Sequence, residues 1–470
     1  MGYFIGIDLG ASFIKSALFD LEKLEIKNIV KYDTPTPVSS KNNNLNNRFE
    51  VDPDHYEKTI RKIIKKLLNS ESNIDGIVFS TQMHGMVLVN HNLNPITPFI
   101  GWQDERLLEK FSNNRTWLDL LNEKLKNVDK SNTGILFRSG LMGSTLFWLK
   151  ENGFFEKHKN LKALFLGDYI AAKLTNGKIL VHTTNACGSG LFDVEKNHWN
   201  RNIIKKLRLN ENCLPQISNT LDIVGYVKHK KKEIPVFVSV GDLQATVLGT
   251  LINQGKNRSI SINIGTGSQM SFVSSVFNQG NYDIRSYFDN NYLYTITFIP
   301  AGRALNVITR FIEGIGDKIF NVKGDAWSKL INLVSVRKDS NNIKGDISFF
   351  ENSISTKKSG YFMNITEKNF TIENLFFSAL ENMAENFLVA YKRLGAKKTD
   401  RIIISGGLIR KIKILKVLLE KKINKKILFA PFEEEALAGL LILSLVCSGK
   451  FTSINEASLF VKERKIKIIK

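Results

Sequence analysis

The chain opens with two apolar runs, residues 3–9 (YFIGIDL) and 13–19, separated by Gly10-Ala11-Ser12. Two such runs joined by a short glycine-containing turn predict a β-hairpin. A related pattern returns about 250 residues later: an apolar run over 258–264, the turn Gly265-Thr266-Gly267-Ser268, and a second run over 269–273. Each hairpin is followed by apolar positions at helical spacing, at 57–68 and at 372–394, which predicts amphipathic helices. Further buried-type strands are expected at 76–80, at 236–240 and at 401–405, the last meeting Gly406-Gly407. Strand, glycine turn, strand near the start of each half predicts an α/β protein made of a duplicated domain around a central cleft. The expected boundary lies near 245–255, with a first domain over 1–248 and a second over 249–470. A polar low-complexity patch at 41–47 is expected to be a surface loop.

Length agrees with two domains, since 470 residues exceed the ~250–300 at which single cores stop growing. A hydrophobic fraction of 43% and a charged fraction of 24% exclude a disordered or collagen-like chain. Three cysteines, Cys187, Cys213 and Cys447, give neither a disulfide framework nor metal-ligand spacing, so a reducing, cytoplasmic setting is expected. The first residues lack the basic and long apolar stretches of a secretory signal, and Gly6 fails the myristoylation pattern. The longest apolar stretch, 436–447, is too short to cross a bilayer. The net charge of +21 changes little. Its lysines are spread along the chain at helical spacing beside Ile and Leu, as on solvated helix faces, and no aromatic-interleaved basic patch supports a nucleic-acid partner.

Glycine turns bind phosphate through exposed backbone N–H groups. Neither GxxxxGK[ST] nor a post-strand GxGxxG occurs, and the turns at 8–12 and 265–268 join strand to strand. Two such turns facing each other would hold a polyphosphate from both sides, with Asp8 orienting a hydrated Mg²⁺. The third turn, Ser405-Gly406-Gly407-Leu408, is either a plain strand-to-helix connection or a close approach to a flat ring. Asp242, after an apolar run and Gly241, is either a helix N-cap or a carboxylate aimed into the cleft. Gln82, His84, Trp102, Asp104 and Arg106 lie within 25 residues and supply planar hydrogen-bonding groups of the kind that bind sugars.

Taken in order, these motifs resemble the FGGY family of carbohydrate kinases over roughly residues 3–445. The residues at 8–15 are similar to the family's first phosphate motif and 264–268 to the second. Ser405-Gly406-Gly407 with Arg410 resembles the adenosine motif, and 434–439 the C-terminal helix that returns to the nucleotide cleft. The resemblance implies a duplicated actin-like ATPase (ribonuclease H-like) fold and an ATP- and Mg²⁺-dependent sugar kinase. It places Asp8, Gly10, Ser12, Lys15, Gly265, Thr266, Gly267, Gly406, Gly407 and Arg410 at the nucleotide, with Asp8 also at the metal. It places Gln82, Met83, His84, Trp102, Asp104, Arg106, Asp242 and Gln244 at the sugar, with Asp242 as catalytic base. The segment 182–199 is read as scaffold.

Gly241-Asp242-Leu243-Gln244 and Gly101-Trp102-Gln103-Asp104 look most like the sedoheptulokinase group, so the terminal hydroxyl of sedoheptulose is the expected acceptor. Xylulose, ribulose or another polyol is the alternative within the family, and a non-catalytic sugar-binding member the alternative outside enzymology. Two departures stand out: Phe350-Glu351-Asn352-Ser353-Ile354-Ser355 replaces the family's Gly-Glu-Arg-containing loop, and Gly267-Ser268 stands where many members have Ser-Gly. No membrane partner is expected, and the oligomeric state is not legible in one chain.

Overall fold

A computed structural model describes residues 2–38, 47–112, 114–250, 258–337, 339–356, 358–397 and 399–469. The polar patch at 41–47 falls outside these save Asn47, and so does the 251–255 part of the expected boundary.

Both hairpins form. Tyr3–Leu9 (β1) and Phe13–Asp20 (β2) pair antiparallel with Asp8 opposite Lys15, and Glu25–Asp33 (β3) adds antiparallel to β2. The helix that follows, Pro53–Ser70 (α1), starts earlier than its apolar periodicity suggests. Asp52 caps it by accepting from the Asp54 N–H, and Pro53 suits the first turn because its missing N–H would be unpartnered there. Tyr56, Ile60, Ile63, Ile64 and Leu67 form its buried stripe. It leads to Ile74–Thr81 (β4), parallel to β1. Ile223–His229 (β5), Lys232–Phe237 (β6) and the short Val240–Gly241 (β7) complete this side; β6 and β7 both run parallel to β4. The sheet order is β5-β6-β4-β1-β2-β3, closed at its far edge by Lys467–Ile468.

The second sheet repeats the plan. Ser259–Ile264 (β8) and Ser268–Ser274 (β9) form the hairpin, with Asp283–Ser286 (β10) and Tyr292–Ile296 (β11) beyond β9. Arg401–Ser405 (β12) and Ile427–Phe429 (β13) lie parallel on the other side of β8, giving the order β10-β11-β9-β8-β12-β13. In each sheet the first strand is central, antiparallel to the second and parallel to the strand returning from a long helical excursion. The central strands are buried along nearly their whole length, as parallel strands covered on both faces must be.

Asp242–Gly249 (α2) and Glu435–Cys447 (α3) join the halves. The apolar run 436–447 is therefore a core helix, buried almost all round, which packs on α2, β1 and β4. No helix among the described residues is long and apolar enough to cross a membrane. The α2–α3 contact is backbone to backbone: a Cβ on Gly439 would stand 2.0 Å from the Ala245 carbonyl oxygen, and one on Gly249 1.9 Å from that of Glu435. No rotamer choice relieves such a contact, so the helices would have to separate. Gly439→Val should destabilise the protein by about 1–3 kcal/mol, the usual cost of overpacking, read as a lowered midpoint in denaturant unfolding.

Candidate active site

Because β1, β4 and β7 run parallel, their C-terminal ends open on one edge, with Asp8 beside Ser80 and Gly241 beside Thr81. Ser80 Oγ donates to Asp8 Oδ1 at 2.6 Å. Asp242 follows as the first residue of α2. It is not the cap: Gly241 holds that position without a side-chain bond, and Asp242 Oδ1 accepts from the Leu243 N–H at 2.8 Å. Burial, and then the Asp8 charge, push the Asp242 carboxyl up to about 7. Burial raises Asp8 too, against the pull of Ser80 and Lys15. Two half-buried carboxylates, one raised by the charge of the other, suit a bound cation. Among the described residues no cluster of three or more His, Cys, Asp or Glu could hold a metal ion. That donor set fits Mg²⁺, which keeps most of its waters and takes one or two carboxylates plus phosphate oxygens.

The turn bearing Asp242 is tied down by the segment expected to be scaffold. Thr184 Oγ1 accepts from the Gly241 N–H at 3.0 Å and lies 2.8 Å from His182 Nδ1, which also accepts from the Thr184 N–H. The His182 ring is thereby an acceptor at Nδ1, and burial holds it near 4 and neutral. Gln244 Nε2 donates to the Thr184 and Ser286 carbonyls. Asn185 Nδ2 reaches the Ser239 carbonyl at 3.1 Å, and Ser239 Oγ donates to Asp168, which burial pushes up to about 8. Gln244, expected at the sugar, thus spends its Nε2 on the Thr184 and Ser286 carbonyls, while its Oε1 is buried without a partner among the described residues.

The glycine turns converge through the start of α3. Lys15 Nζ, expected at phosphate, makes a 2.6 Å ion pair with Glu434. The neighbouring Glu435 accepts from the Gly406 N–H at 3.4 Å and stands 3.6 Å from Arg410, whose guanidinium also donates to the Phe432 carbonyl. Gly406 has φ 101°, and a Cβ there would meet the Ile264 carbonyl at 2.4 Å, so glycine is required. The third turn does join strand to helix, at Gly407–Lys411. Asn263 Nδ2 donates to Ser405 Oγ, linking the second hairpin to this turn. Thr266, Gly267, Gly407 and Ser12 are exposed, Gly10 and Gly265 half-buried, and Gly267 and Gly407 face open space.

On the other side of Asp242, Met83 and His84 are buried beneath Gly241 and Gly188. Gln82 is buried as well, and its Nε2 and Oε1 have no hydrogen-bond partner among the described residues. Asp104 and Arg106 are spent on each other and on the fold. Asp104 accepts from the Phe49 and Arg106 N–H groups and from the Arg106 guanidinium, which also pairs with Glu50 at 2.6 Å. Their burial locks the loop carrying Trp102, against which Gly140 packs. Trp102 is half-buried and meets Phe298 of the second half at 5.9 Å between ring centres.

Sequence reasoning missed Arg138, Arg285, Thr184 and Phe298. Phe298 has φ 56°, uncommon for a bulky residue. It is held by the replaced loop, where the Ser353 N–H donates to the Phe298 carbonyl and Ser353 Oγ to that of Thr297. No local pattern signals these residues, because each acts on a partner far away in the chain.

The sequence model of the FGGY family of carbohydrate kinases, N-terminal domain, matches residues 3–249. A xylulose kinase of Lactococcus lactis is 28% identical over 271 residues, 54% of this chain and 50% of that protein. Glycerol kinase 2 of Saccharolobus solfataricus is 29% identical over 324 residues, 67% of this chain and 60% of that protein. The chain thus spans about half to under two thirds of these relatives' length. Among solved structures, a gluconate kinase from Lactobacillus acidophilus superposes with a TM-score of 0.81 at 17% identity, covering 97% of this chain and 92% of that one. A Plasmodium falciparum glycerol kinase with ADP gives 0.79 at 16% identity, covering 98% and 92%. These likenesses show the expected actin-like ATPase fold.

Thr184→Val removes the acceptor for a buried N–H and should cost about 1–3 kcal/mol in denaturant unfolding. Thr184→Ser, which keeps the hydroxyl, should recover most of that loss.

Proposed function

The chain belongs to the FGGY family of carbohydrate kinases, and on that footing we propose that it transfers the γ-phosphoryl group of ATP to the terminal hydroxyl of a ketose. The observation that carries the reading is Asp242: a carboxylate held at the opening of the sheet, beside Asp8, with its own backbone neighbour as its hydrogen-bond donor. In this mechanism the sugar hydroxyl donates its proton to Asp242 as its oxygen bonds to the γ-phosphorus. The bond from that phosphorus to the β–γ bridging oxygen breaks, and its electron pair leaves with ADP. The proton remains on Asp242 and is later lost to solvent.

The nucleotide is assigned to Gly10, Ser12 and Lys15 of the first hairpin, Gly265, Thr266 and Gly267 of the second, and Gly406, Gly407 and Arg410 of the third turn. Lys15 reaches phosphate by exchanging Glu434 for it. Asp8 would hold a hydrated Mg²⁺, whose charge offsets that of the phosphates when bound. The sugar is assigned to Met83, His84, Trp102 and Asp242, with Gln82, Asp104, Arg106 and Gln244 supporting them. Residues 1–248 then form the sugar-binding domain and 249–470 the nucleotide-binding domain. Closure of the two excludes water and suppresses ATP hydrolysis.

The relatives support a sugar or polyol kinase in general. Sedoheptulose, giving sedoheptulose 7-phosphate, is the finer proposal, and it rests on Gly241-Asp242-Leu243-Gln244 and on Trp102-Gln103-Asp104. A small-molecule substrate and a cytoplasmic setting complete the reading, with no nucleic-acid or membrane partner.

ADP release with Mg·ATP should be strong with sedoheptulose and weak with xylulose, ribulose and glycerol; a panel assay reads this, and silence on every sugar defeats the proposal. Asp242→Asn should lower turnover at least ~10²-fold while ATP and sugar still bind by calorimetry.

The pH dependence has a definite sign. Asp242 accepts a proton only when ionised, so kcat/KM for the sugar should rise through about pH 7 and level off above it. The same raised value means that protonated Asp242 stabilises the fold fully below the unfolded value of ~3.9. That contribution is lost as pH rises through about 7. Asp242→Asn should therefore melt above the wild type at pH 8 and converge with it near pH 4.

A further inference from the structure

We propose that Arg138 and Arg285 form the specificity element of the sugar site, gripping the carbonyl end of an open-chain ketose while the opposite, terminal hydroxyl faces Asp242. The proposal deepens the kinase reading above and rests on it.

Both guanidinium groups flank His84, one from each half of the chain. Arg285, on β10, is 2% exposed. Its Nη1 points at the Met83 sulfur at 3.3 Å, its Nη2 stands 3.4 Å from Asp283, and its Nε is buried without a partner. Arg138 sits between the His84 ring, Nη2 to Nε2 at 3.4 Å, and the face of Phe298 at 4.6 Å. The tautomer of His84 follows from its bonds. Nδ1 lies 2.8 Å from the Gly188 carbonyl and must donate, so Nε2 is the acceptor that Arg138 meets. Burial between two cations keeps this imidazole neutral, well below its ordinary value. His84 holds this pose at φ 84°, a left-handed conformation that is strained for a non-glycine residue. Strain of that kind persists where the surroundings impose it, and here it aims an acceptor at Arg138.

The two guanidinium groups repel each other: burial and the Arg285 charge lower Arg138, which falls to about 10 although Asp283 opposes this. Arg285 keeps one carboxylate, Asp283, at the long distance of 3.4 Å; its other contact, a thioether, and the neutral ring nitrogen and aromatic face that Arg138 meets are weak partners for donors that match paired oxygens in a planar fork. The Met83 sulfur also lies 3.2 Å from where a Cβ on Gly241 would stand, so Arg285 adjoins the Asp242 turn, and its charge acts on Asp242. Adjacent oxygens at C1 and C2 of a ketose satisfy such donors. A carboxylate does so better, and an alditol, which lacks an acceptor-only oxygen, does so worst.

The test measures binding of sedoheptulose, its alditol and the seven-carbon aldonate by titration calorimetry, with ADP release followed in parallel. The unaltered protein should bind the aldonate at least ~10-fold more tightly than the alditol, with the ketose between them. In Arg285→Met and Arg138→Met this ranking should collapse to within ~3-fold, with KM for ATP unchanged; Arg285→Lys, which keeps charge but not the fork, should restore only part of it. Equal affinities for all three in the unaltered protein, or no binding of any, would overturn the clamp. So would variants that weaken all three alike. If Arg285→Met does not fold, the ranking in the unaltered protein and the half-buried Arg138→Met still decide. Turnover without ranking defeats the clamp and leaves the kinase reading standing; ranking without turnover does the reverse.

Discussion

Two half-buried carboxylates at the opening of the first sheet, near enough for the charge of Asp8 to act on Asp242, are the constraint around which this molecule is arranged. Asp8 ends the central strand of the first sheet, and Asp242 opens the helix after the strand that shares β4 with it. Both are pushed upward by burial; the Asp8 charge raises Asp242 further, and the Glu434 charge raises Asp8. A fold selected for stability alone would place neither there. Their surroundings do not neutralise them but immobilise them. Ser80 holds Asp8, while Thr184, His182 and Gln244 hold the backbone on either side of Asp242.

The α2–α3 crossing connects that site to the rest. α2 begins at Asp242 and ends at Gly249; α3 begins where Glu434 and Glu435 meet Lys15, Gly406 and Arg410. The two helices touch through glycine, backbone on backbone. A shift of one half relative to the other therefore moves Asp242 and the glycine turns together. Trp102, Arg138 and Phe298 meet across the halves on the far side, with the replaced loop at 350–355 holding Phe298 in place. That loop and the meeting of Trp102 with Phe298 therefore belong to one surface.

Much of the fold was legible beforehand. The hairpins, the buried stripe of α1 and the strand before Gly406 carry their signals locally, in apolar runs, in helical spacing and in glycine, whereas the start of α1 at Pro53 was not read from its apolar spacing. The position of Asp242 was legible as a place, though not as a chemical state: it reads equally as a cap until the structure shows Gly241 in that role. Asp104 and Arg106 illustrate the opposite failure. As residue types they suit a sugar, yet their hydrogen bonds are already spent on one another, on Glu50 and on Phe49.

By itself the sequence determined the period of the main elements and the order of the glycine turns, because these depend on neighbours within a few residues. Only the tertiary structure decided which charges face each other. Lys15 meets Glu434 across nearly the whole chain, Arg138 meets Phe298 from the other half, and Arg285 reaches Met83. A charged side chain has no fixed meaning until its partners and its distance from water are known, since Coulomb energy and desolvation are both set by the folded surroundings.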